Sequence, residues 1–302
     1  MRAQGADCHP DLRAALDHLL AAGGKRIRPT LGLLVGNLLG GNSDTLVTLG
    51  AAVELLHTAT LVHDDLIDGA LLRRGAETIN ARWSSAATVL TGDFLFARAA
   101  KLAAETDNLQ LMRYFADTLA VIVNGELTQL FSARGVIHRD NYYQRIYAKT
   151  ASLFEMSTRA AAMISAGDNQ SAIETMRKFG YEIGMAFQIV DDLLDFTGDQ
   201  STVGKPLGSD LLQGLVTLPA IYYAEANPDH PDVRSLAAGG WGDHERMERL
   251  VQSIRNSDSI HRAMREAEGH IQSAVDCLVT FDNTEERSAL EELARYVVDR
   301  RV

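Results

Sequence analysis

Cysteine is scarce in this 302-residue chain. Its 2 cysteines, Cys8 and Cys277, lie near opposite ends, and no Cys-x-x-Cys pair occurs. This usage argues against a disulfide scaffold, which needs several paired cysteines, and fits a protein of the reducing cytoplasm. We interpret both cysteines as packing residues.

Proline and strand signals are also few. The chain has 6 prolines, whereas alanine and leucine are abundant and short Val/Ile/Tyr runs between turn residues are hard to find, which favours helices. With 46% hydrophobic and 23% charged residues, the chain is long enough to bury a large core. Because no repeat or low-complexity tract occurs, the sequence predicts one all-α domain over residues 1–302.

Positive charge is in deficit, with a net charge of −11. No Lys/Arg block with interleaved aromatics occurs, which argues against a nucleic-acid partner. The N-terminus lacks an uninterrupted apolar run, and no stretch approaches the roughly 18 apolar residues of a membrane span. We therefore expect a cytoplasmic protein. Because no basic amphipathic helix is evident, we expect at most transient membrane contact.

Apolar periodicity and turn residues predict a series of helices. In chain order, the predicted helices cover residues 11–24, 31–41, 44–72, 79–105, 108–133, 139–166, 170–196, 211–226, 243–255, 258–281 and 284–300. Pro29 is expected where the second helix begins. The stretch RRGAET is predicted to form a turn, and residues 196–210 form the longest predicted loop.

The stretch HDDLID crowds three carboxylates into a helix that otherwise has the pattern of a buried one. Glu54, His57, Asp64 and Asp68 recur at helical intervals, so they form one stripe, and Asp65 lies beside it. Like charges this close disfavour ionisation unless a cation intervenes. Mg²⁺ is typically held by one or two carboxylates together with substrate phosphates. The cluster therefore predicts an Mg²⁺ site, with a solvated acidic face as the alternative.

A second cluster follows in GMAFQIVDDLLD. Gln188, Asp191 and Asp195 share one helical face, with Asp192 adjacent. The separation of the clusters is 191 − 64 = 127 positions. Two such clusters on separate apolar helices are poorly explained as surface decoration, so the second also predicts a metal site.

Basic residues accompany both clusters. They are Lys25, Arg26, Arg28, His57, Arg73, Arg74, Lys149 beside Thr150, and Lys205. Each alone is an ordinary surface cation. Together with two Mg²⁺ sites they predict binding of two diphosphates, because Arg grips phosphate oxygens in pairs and Lys supplies a point charge.

In this order, the stretches resemble the trans-prenyltransferases, the polyprenyl diphosphate synthases of the isoprenoid-synthase fold. The matching segments are GGKRIRP, LLHTATLVHDDLIDGALLRRG, ARWSSAATVLTGDFLFARA, GEL, the KT pair at 149–150, GMAFQIVDDLLDFTGD and VGKPLGSDLLQGLVTLPAI. The resemblance covers nearly the whole chain. It implies a homodimer in which long helices surround a central cavity, and head-to-tail condensation of an allylic diphosphate with isopentenyl diphosphate.

The resemblance also implies residue roles. Two Mg²⁺ ions would be ligated by Asp64 and Asp68, and a third by Asp191. The implied supporting aspartates are Asp65, Asp192 and Asp195. The residues implied for the allylic diphosphate are Arg73, Lys149, Thr150, Gln188 and Lys205, of which the two lysines join the aspartates as catalytic residues. The residues implied for isopentenyl diphosphate are Lys25, Arg28, His57 and Arg74.

Product length is expected to depend on the helix before the first cluster. In the family, large aromatics there mark short-chain enzymes, whereas this chain has the small residues Ala59 and Thr60. At about 1.5 Å per residue the helix wall from Asp64 back to Ala51 is roughly 20 Å long, which predicts a geranylgeranyl or longer product, with roughly 30 to 50 carbons favoured by the resemblance. Candidate floor residues are Leu56, Ala52, Ile122 and Phe131, although Phe131 equally fits the core.

Two alternative functions remain open at this point. A class I terpene cyclase shares the DDxxD cluster, but would carry an Asn/Ser/Glu metal motif in place of the second cluster. The other alternative is a subunit of a heteromeric synthase that requires a partner for activity.

Overall fold

A computed structural model describes residues 9–21, 23–73, 75–131, 135, 137–198 and 207–299. These residues form α-helices almost throughout, which confirms the all-α prediction. The helices are α1 Pro10–Ala21, α2 Ile27–Leu38, α3 Ser43–Ile67, α4 Ile79–Arg82, α5 Ser85–Ala104, α6 Leu109–Phe131, α7 Arg139–Ile146, α8 Ser152–Ser165, α9 Gln170–Thr197, α10 Ser209–Leu212, α11 Leu218–Ala226, α12 Pro231–Ala237, α13 His244–Arg255, α14 Ser259–Leu278 and α15 Glu285–Asp299. Three predicted residues, Cys8, Arg74 and Lys205, lie outside the described residues.

The contacts of the chain divide into two compact units. The first unit comprises Met1–Asp117 and Met156–Glu174, and the second comprises Thr118–Glu155 and Thr175–Val302. Each is described by itself below. The assignment of residues 1–302 to one domain stays a prediction.

Helix α3 is the centre of the first unit. It begins where the Asn42 side chain accepts hydrogen bonds from the backbone N–H groups of Asp44 and Thr45, which satisfies two donors at the helix start. Its buried residues, among them Leu49 and Leu56, pack in the core, and the helix contacts both α2 and α5. The first acidic cluster therefore lies at the end of a firmly packed element.

Within the described residues, α3 is the one helix long and apolar enough to cross a membrane by length and composition. This differs from the expectation that no such stretch exists. The most apolar 18-residue window of α3 is 56% buried inside the protein, as in a core helix. The finding carries no argument for a membrane span.

In the second unit, α7 and α8 are joined by a π-helical turn, Tyr147–Ala151, which we call the π-turn. The backbone N–H of Ser152 donates to the Tyr147 carbonyl, five residues earlier, where an α-helix would close over four. Farther along, α14 packs against α11 and α15, and α13 contacts α10 and α12. The core of this unit includes Phe154 and Phe196, both fully buried.

Several predicted helices are interrupted by local capping or glycine. The predicted helix over residues 79–105 divides into α4 and α5 because Ser84 Oγ accepts from Ala87 N and starts a new helix. The prediction over residues 211–226 was wrong in its middle, where Gly214 adopts a φ of 79° and separates α10 from α11. The predicted helix over residues 139–166 contains the π-turn. Helix α12, started by a His230 cap, was not predicted.

Two turns also differ from the predictions. Helix α2 begins at Ile27, before Pro29, because Arg26 takes a left-handed conformation (φ 52°, ψ 31°). The stretch RRGAET forms a small antiparallel hairpin, β1 Leu72–Arg73 and β2 Ala76–Glu77.

Candidate active site

The first acidic cluster lies at the C-terminal end of α3. Asp64 and Asp65 belong to the last turn and Asp68 is the residue that follows the helix, where its N–H donates to the Asp64 carbonyl. Gly69 then adopts a φ of 64° and ends the helix five residues before the predicted boundary at 72. Carbonyl groups at this end of a helix carry partial negative charge, so three carboxylates here are unfavourable without a cation.

The three carboxylates differ in surroundings. Asp65 is 5% exposed and accepts a hydrogen bond from Arg73 Nε at 2.8 Å. Asp64 is half-buried and Asp68 is exposed. Since the two are four residues apart, their carboxylates lie on the same side of the helix end. The chain neutralises Asp65 with Arg73, and it leaves Asp64 and Asp68 at the more accessible positions.

A pocket that is open to solvent lies beside this cluster within the first unit. It is lined by α1, the turn before α2, α3 and the hairpin. Its charged and polar lining includes Arg26, Glu54, His57, Asp65 and Arg73. Apolar lining comes from Leu19, Leu20, Leu61 and Val62. A cleft of this composition suits a ligand with an anionic head and an apolar body.

The basic turn before α2 is held by a buried acid that the sequence reasoning did not assign. Arg26 forms an ion pair with Glu54, which is 6% exposed on α3. Arg26 also has a left-handed backbone, which is uncommon for a residue other than glycine. The spacing of Glu54 and His57 on one stripe was the available signal, but the partner of Glu54 was not evident from it.

Two of the residues predicted to bind isopentenyl diphosphate, Arg28 and His57, lie next to each other. Arg28 Nη1 is 3.2 Å from His57 Nε2, so the guanidinium donates and the imidazole nitrogen accepts. Ser157 Oγ donates to the Arg28 carbonyl at 2.6 Å and fixes the first turn of α2. Lys25 is exposed in the turn before α2. Arg74, predicted for the same ligand, lies outside the described residues.

The second acidic cluster lies on α9 in the second unit and is extensively hydrogen-bonded. Asp192 is 4% exposed; Gln188 Nε2 donates to its Oδ1 at 2.8 Å and Tyr142 OH donates to its Oδ2 at 2.7 Å. Burial, and then the charge of Asp210, raise the pKa of Asp192 to about 7. Tyr142 was not predicted as a site residue, since a tyrosine 50 positions away gives no pattern in the sequence.

The other two aspartates of α9 differ from Asp192. Both carboxylate oxygens of Asp195 accept hydrogen bonds from the start of α10: from Ser209 N and Oγ at 3.1 and 2.7 Å, and from Asp210 N at 3.2 Å. Asp195 therefore anchors the end of the loop after α9. Asp191 is half-buried.

Two residues predicted for the allylic diphosphate lie in the π-turn. Lys149 Nζ donates to Glu126 Oε1 at 2.8 Å, and Thr150 Oγ1 donates to Gln188 Oε1 at 2.6 Å. The second contact joins the π-turn to Asp192 through Gln188. The structure thus brings Thr150, Gln188 and Asp192 into one hydrogen-bonded chain. Lys205, predicted for the same ligand, lies outside the described residues.

The residues predicted to control product length differ in how deeply they are buried. Ala59 is fully buried, and Thr60 Oγ1 donates to the His57 carbonyl at 2.8 Å. Among the candidate floor residues, Ala52, Leu56 and Ile122 are buried. Phe131 is 84% exposed, so both readings of it, floor and core, were wrong. It is the last residue of α6.

Comparison with known proteins identifies the family. The family model described as polyprenyl synthetase matches residues 9–254. The chain is 38% identical over 297 residues to heptaprenyl diphosphate synthase component 2 of Geobacillus stearothermophilus, with 98% of this chain and 92% of that protein covered.

Solved structures similar to this chain indicate the same family. The heptaprenyl diphosphate synthase of Staphylococcus aureus superposes with a TM-score of 0.92 at 32% identity, covering 99% of this chain and 94% of that one. A polyprenyl synthase of Caulobacter crescentus, solved with calcium and isoprenyl diphosphate, gives 0.90 at 36% identity, covering 100% and 92%.

These matches confirm the predicted resemblance and the predicted transferase activity. Prenyl diphosphate synthases use isopentenyl and allylic diphosphates, and the family uses divalent metal ions. A family match over most of the chain leaves no support for the terpene-cyclase alternative. The chain therefore belongs to the polyprenyl synthetase family, the trans-prenyltransferases of the all-α isoprenoid-synthase fold.

Proposed function

We propose that this chain is an Mg²⁺-dependent synthase that adds isopentenyl diphosphate to farnesyl or geranylgeranyl diphosphate and makes a geranylgeranyl or longer all-trans product. The observation that carries the metal requirement is the end of α3, where three carboxylates meet the negative end of the helix dipole and Arg73 is hydrogen-bonded to Asp65. The similarity to heptaprenyl diphosphate synthases supports a long product.

The donor set fits Mg²⁺. Asp64 and Asp68 offer hard carboxylate oxygens one helical turn apart, and Asp191 offers a third. Within the ranges that the structure describes, no group of three His, Cys, Asp or Glu side chains closes a metal site by itself. Mg²⁺ keeps several waters and is completed by substrate phosphates, so one or two carboxylates suffice to hold it. In this proposal Asp64 and Asp68 ligate two ions and Asp191 a third.

The protein side chains then act on the two diphosphates. Lys149, Thr150 and Gln188, with Arg73 and Lys205, hold the allylic diphosphate, while Lys25, Arg28, His57 and Arg74 hold isopentenyl diphosphate. Asp64, Asp68 and Asp191 would hold Mg²⁺, which when bound would neutralise negative charge on the departing diphosphate. Because Arg and Lys neutralise the same charge, the allylic carbon–oxygen bond ionises to a delocalised carbocation.

The new carbon–carbon bond forms when the double bond of isopentenyl diphosphate attacks that cation. Holding both substrates in one site replaces a chance encounter with a positioned one. Apolar side chains such as Leu61 and Val62 line the pocket of the first unit and would limit the access of water to the cation. A proton is then lost to the released diphosphate, which leaves a product five carbons longer. The six aspartates, Lys149 and Lys205 are the proposed catalytic residues.

We propose that two copies of the chain form a homodimer. The support is an exposed apolar stripe on α6, where Val123, Leu127 and Leu130 recur at helical spacing and Phe131 follows. The expected result of sedimentation analysis is a species of twice the mass of the chain.

The presence of Cys277 as a free, buried thiol fits our proposal of a cytoplasmic location, which cell fractionation tests.

A second candidate is the catalytic subunit of a heteromeric synthase. The observation that favours it is the 38% identity to a protein named component 2. The experiment that separates the candidates incubates the purified chain with Mg²⁺, isopentenyl diphosphate and farnesyl diphosphate. Product from the chain alone supports the homodimer, whereas activity only after addition of a partner subunit supports the heteromer.

A further inference from the structure

The π-turn of the second unit is enclosed by two glycines on neighbouring helices. A Cβ added to Gly125 on α6 would lie 2.4 Å from Ala148 Cβ. A Cβ added to Gly184 on α9 would lie 2.5 Å from Ala151 Cα. Both distances are far inside van der Waals contact, so both helices approach the π-turn as closely as they do because these residues are glycines.

Each close approach is accompanied by a polar contact from the same helix. Glu126, next to Gly125, accepts from Lys149 at 2.8 Å. Gln188, one helical turn after Gly184, accepts from Thr150 at 2.6 Å. Helix α6 therefore contacts the π-turn at Ala148, and helix α9 contacts it at Ala151. The two residues between these alanines, Lys149 and Thr150, are hydrogen-bonded to the same two helices.

The geometry of the π-turn sets the direction of these two side chains. A π-turn contains one residue more per turn than an α-helix, so it rotates the flanking residues relative to a regular helix by about 100°. Turns of this kind persist where the surroundings stabilise them, and they are frequent at functional sites. The close approaches at Ala148 and Ala151 flank Lys149 and Thr150, so they are placed to stabilise the wider turn.

We propose that the π-turn is a positioning element of the allylic diphosphate site, and that Gly125 and Gly184 are positioning residues that hold Lys149 and Thr150 in register. This inference rests on the proposed function, in which Lys149 and Thr150 hold the allylic diphosphate. The glycines contact neither substrate; they act through the backbone of the π-turn.

The test uses Gly125→Ala and Gly184→Ala in the full-length enzyme. The expected result is a KM for farnesyl diphosphate raised on the order of 10-fold to 100-fold, since a displacement of about 1 Å in a positioning group has effects of this size. The KM for isopentenyl diphosphate is expected to change little, because Lys25, Arg28 and His57 belong to other segments. Gly269→Ala is the matched control: it is a helical glycine of α14 whose added Cβ meets no atom within 4 Å.

Rescue by methyl exchange distinguishes positioning from general destabilisation. In Gly125→Ala/Ala148→Gly the clashing methyl is removed, since the contact is with Ala148 Cβ, and the KM for farnesyl diphosphate is expected to return toward the wild-type value. In Gly184→Ala/Ala151→Gly no return is expected, because the nearest atom is Ala151 Cα, which remains. A purely structural role would lower the thermal midpoint and the active fraction without separating the two KM values.

Should Gly125→Ala fail to fold, Ala148→Gly takes its place, since it loosens the same contact without adding an atom. A KM for farnesyl diphosphate that stays within twofold of wild type in the folded variants, or rises equally with that for isopentenyl diphosphate, overturns the inference. A wild-type chain that forms no product from these substrates overturns the proposed function instead, so the two failures are distinct.

Discussion

Arg73 Nε donates a hydrogen bond to Asp65 Oδ1 at 2.8 Å, and the Asp65 side chain is 8% exposed whereas that of Arg73 is 37% exposed. The pair links the hairpin to the last turn of α3. One carboxylate of the first acidic cluster is thereby given a structural partner from the chain itself. The neighbouring Asp64 and Asp68 are more accessible, and they are the two to which we assign Mg²⁺.

Asp68→Asn and Asp65→Asn are therefore expected to fail in different ways. Removing the charge of exposed Asp68 should lower kcat on the order of 10²-fold while the thermal midpoint stays near that of wild type, because electrostatic stabilisation is lost without loss of packing. Asp65→Asn should lower the thermal midpoint of the metal-free protein, because Arg73 loses its partly buried partner. Steady-state kinetics and calorimetry on the same preparations make the comparison. Equal loss of stability in both variants would contradict the division of roles.

Thr60→Phe is expected to shorten the product. Thr60 is partly exposed, so a larger side chain has room to project, and an aromatic group there would obstruct a growing prenyl chain. Ala59→Phe should also shorten the product, but Ala59 is fully buried, so overpacking should destabilise the protein by about 1–3 kcal/mol. Chromatography of the dephosphorylated products reports chain length. An unchanged product distribution in folded Thr60→Phe would contradict the assignment of these positions.

The contribution of Asp192 to the stability of the metal-free protein is expected to fall as pH rises from about 4 to about 7. Burial raises the pKa of Asp192 from 3.8 to about 7, so in this window the folded state keeps a proton that the unfolded state has lost. Stability from this group is fully present below the unfolded pKa and is lost as pH rises through the folded pKa. In Asp192→Asn this contribution to the slope should disappear. Urea titrations in EDTA at several pH values measure it, and parallel slopes in the two proteins would contradict the assignment.

His57→Ala is expected to raise the KM for isopentenyl diphosphate. Arg28 Nη1 lies 3.2 Å from His57 Nε2, so the variant removes both a proposed ligand and the group that orients Arg28. Loss of one hydrogen bond to a charged group should raise this KM roughly 10-fold or more. The KM for the allylic substrate should change less. An equal rise in both values would contradict the assignment of His57 to isopentenyl diphosphate.

The helices carrying both acidic clusters could be predicted from the sequence, because their apolar periodicity is long and their Asp spacing places the carboxylates together. The position at which α3 ends was harder to predict from the sequence. Ala70, Leu71 and Leu72 continue the apolar pattern, but the left-handed Gly69 ends the helix through local hydrogen bonds. The contact of Arg73 with Asp65, by contrast, depends on the hairpin that follows the helix.

The supporting residues of the site could not be predicted from the sequence, because their partners are far away along the chain. Tyr142 contacts Asp192 across 50 positions, Ser157 contacts Arg28 across 129, and no spacing rule predicts such pairs. The π-turn was also missed, because Ala148 and Ala151 fit a regular helix equally well. What favours the wider turn is the close approach of Gly125 and Gly184, which only the packed structure reveals.

The central claim is that this chain alone elongates an allylic diphosphate with isopentenyl diphosphate in an Mg²⁺-dependent reaction. The most direct test incubates the purified wild-type chain with both substrates, with Mg²⁺ or with EDTA, and resolves the products by chain length, with Asp68→Asn as the comparison of reduced activity. The account predicts products longer than farnesyl diphosphate with Mg²⁺, none with EDTA and a strongly reduced yield from Asp68→Asn. Absence of elongation by the wild-type chain in the presence of Mg²⁺ would contradict it.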